Sequence, residues 1–395
     1  MPKNCAGISF STWRILKPIR NNGTGLSKMR LPIPMAVPED VRGSFSFLCS
    51  SDKNRGVPMK FLIAGYGSIG RRHLRNLLAL GEKDIIVLHT GKSTLPPEEL
   101  ADIPVTSSLQ DALDRGVRAV IIANPTALHL QTAIPCAEAG CHILMEKPVS
   151  HTLDGIDTLR RAMQTSGSKM LVGFQFRFHP GMQTIRTLLQ EGAIGNPRHV
   201  CVHSTQSTWR DPSAPVTWRK DHRLSGLNMQ TLGMWIEVLH RWLGMTRWVS
   251  AETRIFTPRR PDGQGGELEI RIPDQITALA GFDHEVTAGY FISGVCDRTE
   301  ETLMLFGDRG VMRYDALADR LTVSGTRRDQ VITPLPEEAY NVQNWRVEAD
   351  FIAAVREGTP YHPDFEDGIR YMAVIQAMYD SAASGRREEI RCDWS

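Results

Sequence analysis

The sequence predicts an α/β protein in which a doubly wound parallel sheet precedes an α+β domain with a large, mostly antiparallel open sheet. Three observations lead to this prediction: short apolar runs alternate with amphipathic stretches after Met59, longer strand-like runs follow after about Pro180, and hairpin-like turns join several of those longer runs. A length of 395 residues also exceeds what one core usually holds. We therefore expect two domains, over residues 59–179 and 180–395.

Residues 1–58 show neither pattern. This segment is rich in Pro, Gly, Ser and Asn, and it holds nine Lys/Arg against three Asp/Glu. Arg14, Lys17 and Arg20 beside apolar side chains fit an organelle transit signal, but a disordered tail or a wrongly chosen start codon fits equally well. We expect a disordered or non-native N-terminal extension that is not part of the fold.

Strands and helices alternate along the first domain. The expected strands are apolar throughout and cover Phe61–Ala64, Ile85–Leu88, residues 119–123 and His142–Met145. Between them lie three helix candidates: a stretch with Leu74 and Leu77 at helical spacing, a short one at residues 111–113, and one over residues 127–139. Strands without polar residues are typical of a parallel sheet that helices cover on both faces.

Longer strand candidates dominate the second domain. They cover residues 198–207, 248–257, 275–283, 285–295, 302–306 and 320–323. Turns at Asp283-His284 and at residues 307–310 join two pairs of them, so we expect a largely antiparallel sheet. Helices over residues 229–243 and 368–383 complete the domain.

A glycine motif follows the first expected strand. Gly65, Gly67 and Gly70 have the spacing GxGxxG and stand between that strand and a helix. In this context the first glycine permits a tight turn, the second admits a pyrophosphate to the backbone, and the third allows the helix to pack closely on the strand. The amides at the helix start, with Ser68 and Ile69, attract the anion. The motif predicts a dinucleotide-binding Rossmann domain.

The residues after the second strand bear on which nicotinamide dinucleotide binds. An acidic side chain there would hydrogen-bond the ribose 2′-hydroxyl of NAD, and this chain has none. His89, Lys92 and Ser93 offer a cation and polar groups instead, which favours NADP. NAD stays open, since Lys92 also fits a solvated loop charge.

Motifs at the ends of the next two strands carry a family resemblance. Asn124-Pro125 is followed by His129, and Glu146-Lys147-Pro148 follows the last strand of the first domain. Together with the glycine motif, these resemble the Gfo/Idh/MocA family, the glucose-fructose oxidoreductase and inositol dehydrogenase group. The resemblance implies a cofactor site formed in part by Asn124, Pro125, His129, Glu146 and Lys147.

The similarity covers nearly the whole chain after the extension. Residues 173–180 and 191–195 and the pair Asp367-Gly368 also match, so it runs from Met59 to about Arg391. It implies an NAD(P)-dependent oxidoreductase that transfers hydride to or from the CH–OH or ketone group of a sugar, a sugar derivative or a cyclitol, with Lys147 beside the reacting carbon. A buried cation there would stabilise a developing alkoxide and exchange a proton.

One family motif is missing. Members typically carry Asp-x-Gly-x-His on the helix that crosses the active site, and this chain has Thr231 and Trp235 at those positions. Neither side chain titrates near neutral pH, yet the hydroxyl proton needs an acceptor. Lys147, helped by Thr231 or a water, is the first candidate, and His179 is the second.

Other side chains lie near the expected pocket. Glu237 and His240 share the helix, but their spacing from Trp235 directs them to another face. Trp235 either offers a flat face on which a sugar ring or nicotinamide stacks, or packs in the core. The remaining substrate-binding candidates, for which exposed loop positions are the alternative, are Arg177, Trp209, Arg210, Asn228 and Gln230.

Three functions fit these residues. The first is a dehydrogenase or reductase acting on a sugar-like small molecule. The second is a cofactor-binding sensor or scaffold that has lost catalysis, as the missing Asp and His would indicate. The third is a lyase or glycosidase that recycles its cofactor, with His179 as the added base.

Composition excludes other classes. With 41% hydrophobic and 23% charged residues the chain is of ordinary globular type, and no run reaches the roughly 20 apolar residues of a membrane span. The seven cysteines are scattered and lack zinc spacing, so we expect no metal, and reduced thiols in the cytoplasm. A slightly acidic chain after residue 58 gives no reason to expect nucleic-acid binding. The apolar strands of the second sheet need cover, which predicts a homodimer or homotetramer through that sheet.

Overall fold

The computed structural model describes residues 59–89, 91, 100, 102–227, 229–325, 330–332 and 346–390. The predictions for residues 1–58 and for Lys92, Ser93 and Asn228 lie outside these ranges. Within the described ranges, no helix is long and apolar enough to cross a membrane.

The first sheet has six parallel strands. They are β1 (Phe61–Ala64), β2 (Ile85–Leu88), β3 (Val105–Thr106), β4 (Ala119–Ile122), β5 (His142–Met145) and β6 (Met170–Val172). Their order, β3-β2-β1-β4-β5-β6, is that of a Rossmann domain. Every residue of β1 and β4 is fully buried, which is why both strands are unbroken apolar runs in the sequence. The predicted parallel sheet is confirmed.

Four helices connect these strands. They are α1 (Ser68–Ala79), α2 (Leu109–Asp114), α3 (His129–Glu138) and α4 (Ile156–Ser166). The sequence pattern does not predict α4 or β6, because α4 buries only Ile156, Leu159 and Ala162, and β6 has only three residues. Single turns of 3₁₀ helix cover Thr126–Leu128 and Gln175–Phe178.

The second sheet and a small separate hairpin contain the remaining strands. They are β7 (Pro197–Thr205), β8 (Thr246–Arg254), β9 (Arg259–Pro261), β10 (Glu267–Glu269), β11 (Gln275–Phe282), β12 (Thr287–Ser293), β13 (Glu300–Gly307), β14 (Gly310–Asp315), β15 (Arg320–Gly325), β16 (Gln330–Ile332) and β17 (Glu388–Glu389). The nine-stranded sheet has the order β16-β15-β14-β13-β7-β12-β11-β8-β17, while β9 and β10 pair with each other. Among the described strands of this sheet, only β7 and β12 are parallel neighbours, so the mostly antiparallel sheet is confirmed.

Strand β7, near the middle of the sheet, shows how its two faces differ. Val200, Val202 and Ser204 are buried, whereas Cys201 and His203 between them are only partly covered. Because successive side chains point to opposite faces, one face packs on helices and the other is more open.

In the described residues after the first domain there are five helices. They are α5 (Pro180–Gln190), α6 (His222–Ser225), α7 (Leu232–Leu243), α8 (Arg346–Arg356) and α9 (Phe365–Ser384). Helices α7 and α9 approach so closely that a Cβ at Gly233 would lie 2.8 Å from the Tyr371 ring. Helix α8 joins the core of the parallel sheet through Val347 and Phe351, although it follows the second sheet in sequence. The domain limits 59–179 and 180–395 stay a prediction.

The start of α9 gathers three potential metal ligands, which the sequence does not predict. His362, Asp364 and Asp367 each have a ligand atom within 4.8 Å of the others. Asp364 accepts from the Asp367 amide and Asp367 from the Asp364 amide, which forms a capping box. These carboxylates therefore already serve to start the helix.

Candidate active site

Three motif-bearing loops leave the parallel sheet side by side. Strands β1, β4 and β5 are adjacent, so Gly65, Asn124 and Glu146 follow their carboxyl ends on one edge. In open α/β sheets, ligands bind at this edge, at the point where the strand order reverses. Here that point is at β1, which lies between β2 and β4.

The glycine motif has the geometry of a phosphate-binding turn. Gly65 has φ +103°, and a Cβ there would lie 2.5 Å from the Asn124 amide nitrogen. A Cβ at Gly70 would lie 1.9 Å from the Gly65 carbonyl oxygen, whereas one at Gly67 would meet nothing within 4 Å. The first and third glycines are thus needed for packing, and the second leaves open space at the start of α1, where helix amides attract an anion.

Two polar atoms next to this turn are buried without a hydrogen-bond partner among the described residues. They are Nε2 of His89, whose ring lies 6.1 Å from that of Tyr66, and Oδ1 of Asn124. Asn124 uses its amide to donate to Thr132 Oγ1 at 2.9 Å. A buried polar atom without a partner is costly, so both atoms suit a polar ligand.

His129 connects two of the loops. Its Nδ1 lies 2.8 Å from the Pro148 carbonyl oxygen and its Nε2 lies 3.0 Å from that of Asn124. Burial lowers the pKa of the ring, while the contacts to Asn124 and Pro148 raise it. With 1% of its surface exposed, His129 positions the Asn124 and Pro148 turns and does not offer a ring nitrogen to a cofactor.

Glu146 contacts a buried histidine that the sequence analysis did not single out. His73 of α1 places Nε2 at 3.2 Å from Glu146 and Nδ1 at 2.6 Å from Glu348 of α8. Burial lowers the pKa of His73, but both carboxylates outweigh this effect and raise it to about 9. His73 is therefore a cation between two acids. The signal in the sequence is its place on the buried face of α1, next to Leu74 and Leu77.

Lys147 lies at the same edge of the sheet, and its peptide bond to Pro148 is cis. The side chain is exposed to solvent, but protein atoms around its ammonium partly desolvate it. This desolvation lowers the pKa of the ammonium, Glu146 raises it, and Arg219 lowers it further. A lysine of this kind can hold a negative oxygen or exchange a proton.

Thr231 and Trp235 both connect to one carboxylate. Thr231 Oγ1 lies 2.7 Å from Ser204 Oγ, and Ser204 donates to Glu301 Oε2 at 2.8 Å. The indole N–H of Trp235 donates to Glu301 Oε1. Burial raises the pKa of Glu301 to about 7, although the two hydrogen bonds lower it. No motif in the sequence indicates Glu301, because it lies 66 residues after Trp235 in an ordinary strand.

The structure corrects the expectation that Trp235 stacks on a ligand. Its ring is fully buried and packs edge-on against Phe176 at 5.2 Å between centroids. No face of the indole is open, since helix α7 turns this residue toward the core. Trp235 is a core residue with one polar contact.

Arg177, predicted to bind substrate, instead forms a buried ion pair in the structure. It is buried, forms an ion pair with Glu237, and lies 3.6 Å from Asp367. The pair lines a separate cavity together with Arg186, Arg241 and Arg370. Glu237 thus lies on a different face of α7 from Trp235, as its spacing predicted. Its carboxylate supplies the countercharge for the buried guanidinium of Arg177.

His179 stands at the start of α5. Its Nδ1 accepts from the Gly181 amide at 3.2 Å and lies 3.4 Å from the Tyr314 hydroxyl of β14. Burial lowers the pKa of its ring and Asp319 raises it. The side chain therefore caps a helix, a role that makes it a weaker candidate for the proton acceptor.

Trp209 and Gln230 meet around the buried Lys220. Lys220 lies 3.9 Å from the centroid of the Trp209 ring and 2.5 Å from Asp274 Oδ1. Gln230, which has φ +55°, donates to the Asp274 carbonyl oxygen at 2.9 Å. Burial lowers the pKa of Lys220 to about 8, against the effect of Asp274. Arg210, in contrast, is exposed and pairs with Asp297.

Comparison with known protein families covers both sheets. A family model described as "Oxidoreductase family, NAD-binding Rossmann fold" matches residues 59–174. A second, described as "GFO/IDH/MocA C-terminal domain", matches residues 182–313. The two models together cover more than half of the chain.

Individual relatives give the same picture. The chain is 35% identical over 159 residues to the uncharacterized oxidoreductase YrbE of Bacillus subtilis, a match that covers 39% of the chain and 45% of that protein. It is 31% identical over 345 residues to inositol 2-dehydrogenase of Acidiphilium cryptum, which covers 81% of the chain and 92% of the relative.

Levoglucosan dehydrogenase is found both among the relatives and among the solved structures. Levoglucosan dehydrogenase of Pseudarthrobacter phenanthrenivorans is 25% identical over 308 residues, which covers 68% of the chain and 79% of that protein. A structure of levoglucosan dehydrogenase in complex with NADH matches with a TM-score of 0.76 at 21% identity, over 84% of this chain and 99% of that one. At this identity the structural match shows the shared fold.

Proposed function

Because the chain belongs to the Gfo/Idh/MocA family of oxidoreductases, we propose that it is an NAD(P)-dependent dehydrogenase or reductase of a sugar, a sugar derivative or a cyclitol. The observation that carries this proposal is the open space at Gly67 on the same sheet edge as Lys147. The names of two relatives, inositol 2-dehydrogenase and levoglucosan dehydrogenase, support this substrate class.

The residues at this edge fit a dinucleotide. Gly67 leaves room for a pyrophosphate at the start of α1, and its lack of a side chain leaves the first amides of the helix available. The unpartnered atoms of His89 and Asn124 lie beside the same turn. Glu146, held by His73, keeps the adjoining loop in place.

Lys147 would act on the reacting oxygen. When bound, a nicotinamide dinucleotide supplies the hydride acceptor or donor. The Lys147 ammonium stabilises negative charge on the substrate oxygen in either direction of reaction. The proximity of Arg219 adds positive charge to the same region, so the surroundings of Lys147 suit an oxygen that becomes anionic.

NADP is the dinucleotide we favour, with NAD as the alternative. Strand β2 ends at Leu88, and residues 89–94 contain no carboxylate to bind a ribose 2′-hydroxyl or to repel a 2′-phosphate. His89, the first of these residues, is half-buried beside Tyr66. Titration of the protein with NADPH and with NADH is expected to give the lower Kd for NADPH.

The test combines binding with turnover. Wild type, Lys147→Ala and the control Lys83→Ala, an exposed lysine of the same domain, are titrated with both dinucleotides and assayed spectrophotometrically against inositols, uronates and aminosugars. We expect all three to bind and Lys147→Ala to turn over about 10²-fold more slowly. A wild type without affinity for either dinucleotide would refute the proposal. Binding without turnover of any substrate would favour a sensor or scaffold.

A further inference from the structure

The two positions that lack the family's Asp and His meet at the same carboxylate. Trp235 binds one oxygen of Glu301, and Thr231 reaches the other oxygen through Ser204. Glu301 on β13 is the direct partner of Ser204 on β7, so the carboxylate comes from the sheet and not from the helix. A titratable group is therefore present next to the positions where α7 has none.

The direction of the hydrogen bonds leaves Thr231 able to accept a proton. Ser204 has one hydroxyl hydrogen and donates it to Glu301, so its oxygen accepts from Thr231. The Thr231 side chain does not cap the start of α7. The lone pairs of its Oγ1 therefore stay available to a substrate hydroxyl.

No cation faces the partly buried carboxylate of Glu301 among the residues the structure describes. Its side-chain contacts are the hydroxyl of Ser204 and the indole of Trp235, and the causes that act on its pKa include no charged neighbour. The charged side chains of the elements packed around it are engaged elsewhere: His203 near Glu300, Glu237 with Arg177, His240 with Thr246, and Asp315 with the amides of Leu317 and Ala318. A partly buried carboxylate without a countercharge is desolvated at some cost in stability, and such groups concentrate at functional sites.

We propose that Glu301 accepts the hydroxyl proton during oxidation and returns it during reduction, through Ser204 and Thr231. In oxidation the substrate O–H bond breaks and its proton passes to Thr231 Oγ1, while Thr231 passes its own proton to Ser204 and Ser204 passes its own to Glu301. The hydride of the adjacent C–H bond would go to the nicotinamide dinucleotide that the proposed function requires, so that the alcohol becomes a ketone while the carboxylate becomes a carboxylic acid. This inference rests on the proposed function. Lys147 keeps its proposed role, which is to stabilise negative charge on the substrate oxygen.

The acidity of Glu301 suits transfer in both directions. Burial raises its pKa to about 7, although the hydrogen bonds from Ser204 and Trp235 act to lower it. An acid or base works best when its pKa is close to the working pH. The indole of Trp235 holds one carboxylate oxygen so that the other faces Ser204.

A pair of neighbouring substitutions tests the proposal. Glu301→Gln keeps an oxygen for Trp235 and an amide for Ser204 but cannot take up a proton. Glu300→Gln is the matched control, because adjacent strand residues point to opposite faces. We expect both variants to bind dinucleotide like wild type. Glu301→Gln should lower kcat about 10²-fold and remove the rise of the oxidation rate with pH near pH 7. An unchanged kcat, or a retained pH inflection, would overturn the proposal.

Two further measurements separate this proposal from the proposed function. Thr231→Val removes the hydroxyl that would pass the proton to Ser204 but leaves the contact of Glu301 with Trp235. We therefore expect kcat to fall, while the Glu301 carboxyl group still titrates. Infrared difference spectra of wild type against Glu301→Gln need no substrate, and they should show a carboxylic acid band that disappears as pH rises through about 7. If that band is missing, the proposal fails whatever the substrate is. Failure of wild type to bind dinucleotide would instead refute the proposed function.

Discussion

At the scale of single residues, His73 is a buried histidine that contacts two carboxylates in the parallel-sheet domain. It is fully buried between Glu146, beside Lys147, and Glu348 of α8. Asn76 also donates to Glu348 at 3.0 Å. Because each carboxylate is buried or partly buried, removal of the histidine would leave unpaired negative charge inside the protein.

This contact predicts a pH-dependent stability. The folded pKa of His73 is about 9, above its ordinary value of 6.5, so the stabilisation is complete below about pH 6.5 and is lost as pH rises through about 9. The difference corresponds to about 3 kcal/mol of unfolding free energy. Urea unfolding of wild type should show this decline, and His73→Gln should be less stable near pH 6 and lack it. Equal pH dependence in both proteins would contradict the prediction.

The glycine turn predicts a contrast between two neighbouring substitutions. Gly70→Ala places a Cβ 1.9 Å from the Gly65 carbonyl oxygen, so we expect a loss of about 1–3 kcal/mol in stability. Gly67→Ala meets no protein atom within 4 Å and should fold normally. Its Cβ would occupy the space for the pyrophosphate, and dinucleotide affinity should fall at least about tenfold. Thermal unfolding and dinucleotide titration distinguish the two effects; normal affinity in Gly67→Ala would contradict this account.

At the scale of elements, the buried pair of Lys220 and Asp274 ties the start of β11 to two loops. Asp274 binds the Lys220 ammonium and accepts from the amides of Phe256 and Thr257. Its carbonyl oxygen holds Gln230, just before α7. The pair therefore helps to hold Gln230, and with it the neighbouring Thr231, in place against the second sheet.

Substitution at this pair predicts a large stability change. Asp274→Asn leaves the Lys220 ammonium buried without its countercharge, which typically costs about 3–5 kcal/mol. The double variant Lys220→Met with Asp274→Asn should recover part of this loss, because no buried charge remains. Guanidinium unfolding of the three proteins gives the comparison. A loss of less than about 1 kcal/mol in the single variant would show that the pair is not a structural support.

At the scale of the whole molecule, the outer face of the nine-stranded sheet is the surface through which we propose homodimer or homotetramer formation. Leu279 of β11 is 56% exposed, and Phe291 of the neighbouring strand β12 and Met304 of β13 are partly exposed on the same sheet. Assembly through this face would cover these exposed apolar side chains.

If the protein assembles through this face, a single charged substitution there should weaken the assembly. Leu279→Glu should shift the protein toward monomers, because an ionised carboxylate is costly inside an apolar interface. Leu78→Glu, at an exposed leucine of α1 that is 44% exposed, is the control and should leave the mass unchanged. Light scattering after size-exclusion chromatography measures the result. A wild type that is already monomeric would refute assembly through the sheet.

The sequence alone determined the parallel sheet, the mostly antiparallel sheet and the glycine turn. These features depend on residues close together in the chain: apolar runs that must be buried on both faces, and glycines whose φ and close contacts no other residue tolerates. The family resemblance led us to predict a role for Lys147, and to predict that Thr231 and Trp235 stand where other members carry Asp and His.

Only the tertiary structure decided what stands beside those positions. Glu301 lies 66 residues from Trp235, Ser204 lies 27 residues from Thr231, and His73 lies 275 residues from Glu348. Strand register and helix packing bring such groups together, and neither is visible in local spacing. The same packing turned Trp235 into the core and paired Arg177 with Glu237, so the proton acceptor we propose came from a strand that no motif marks.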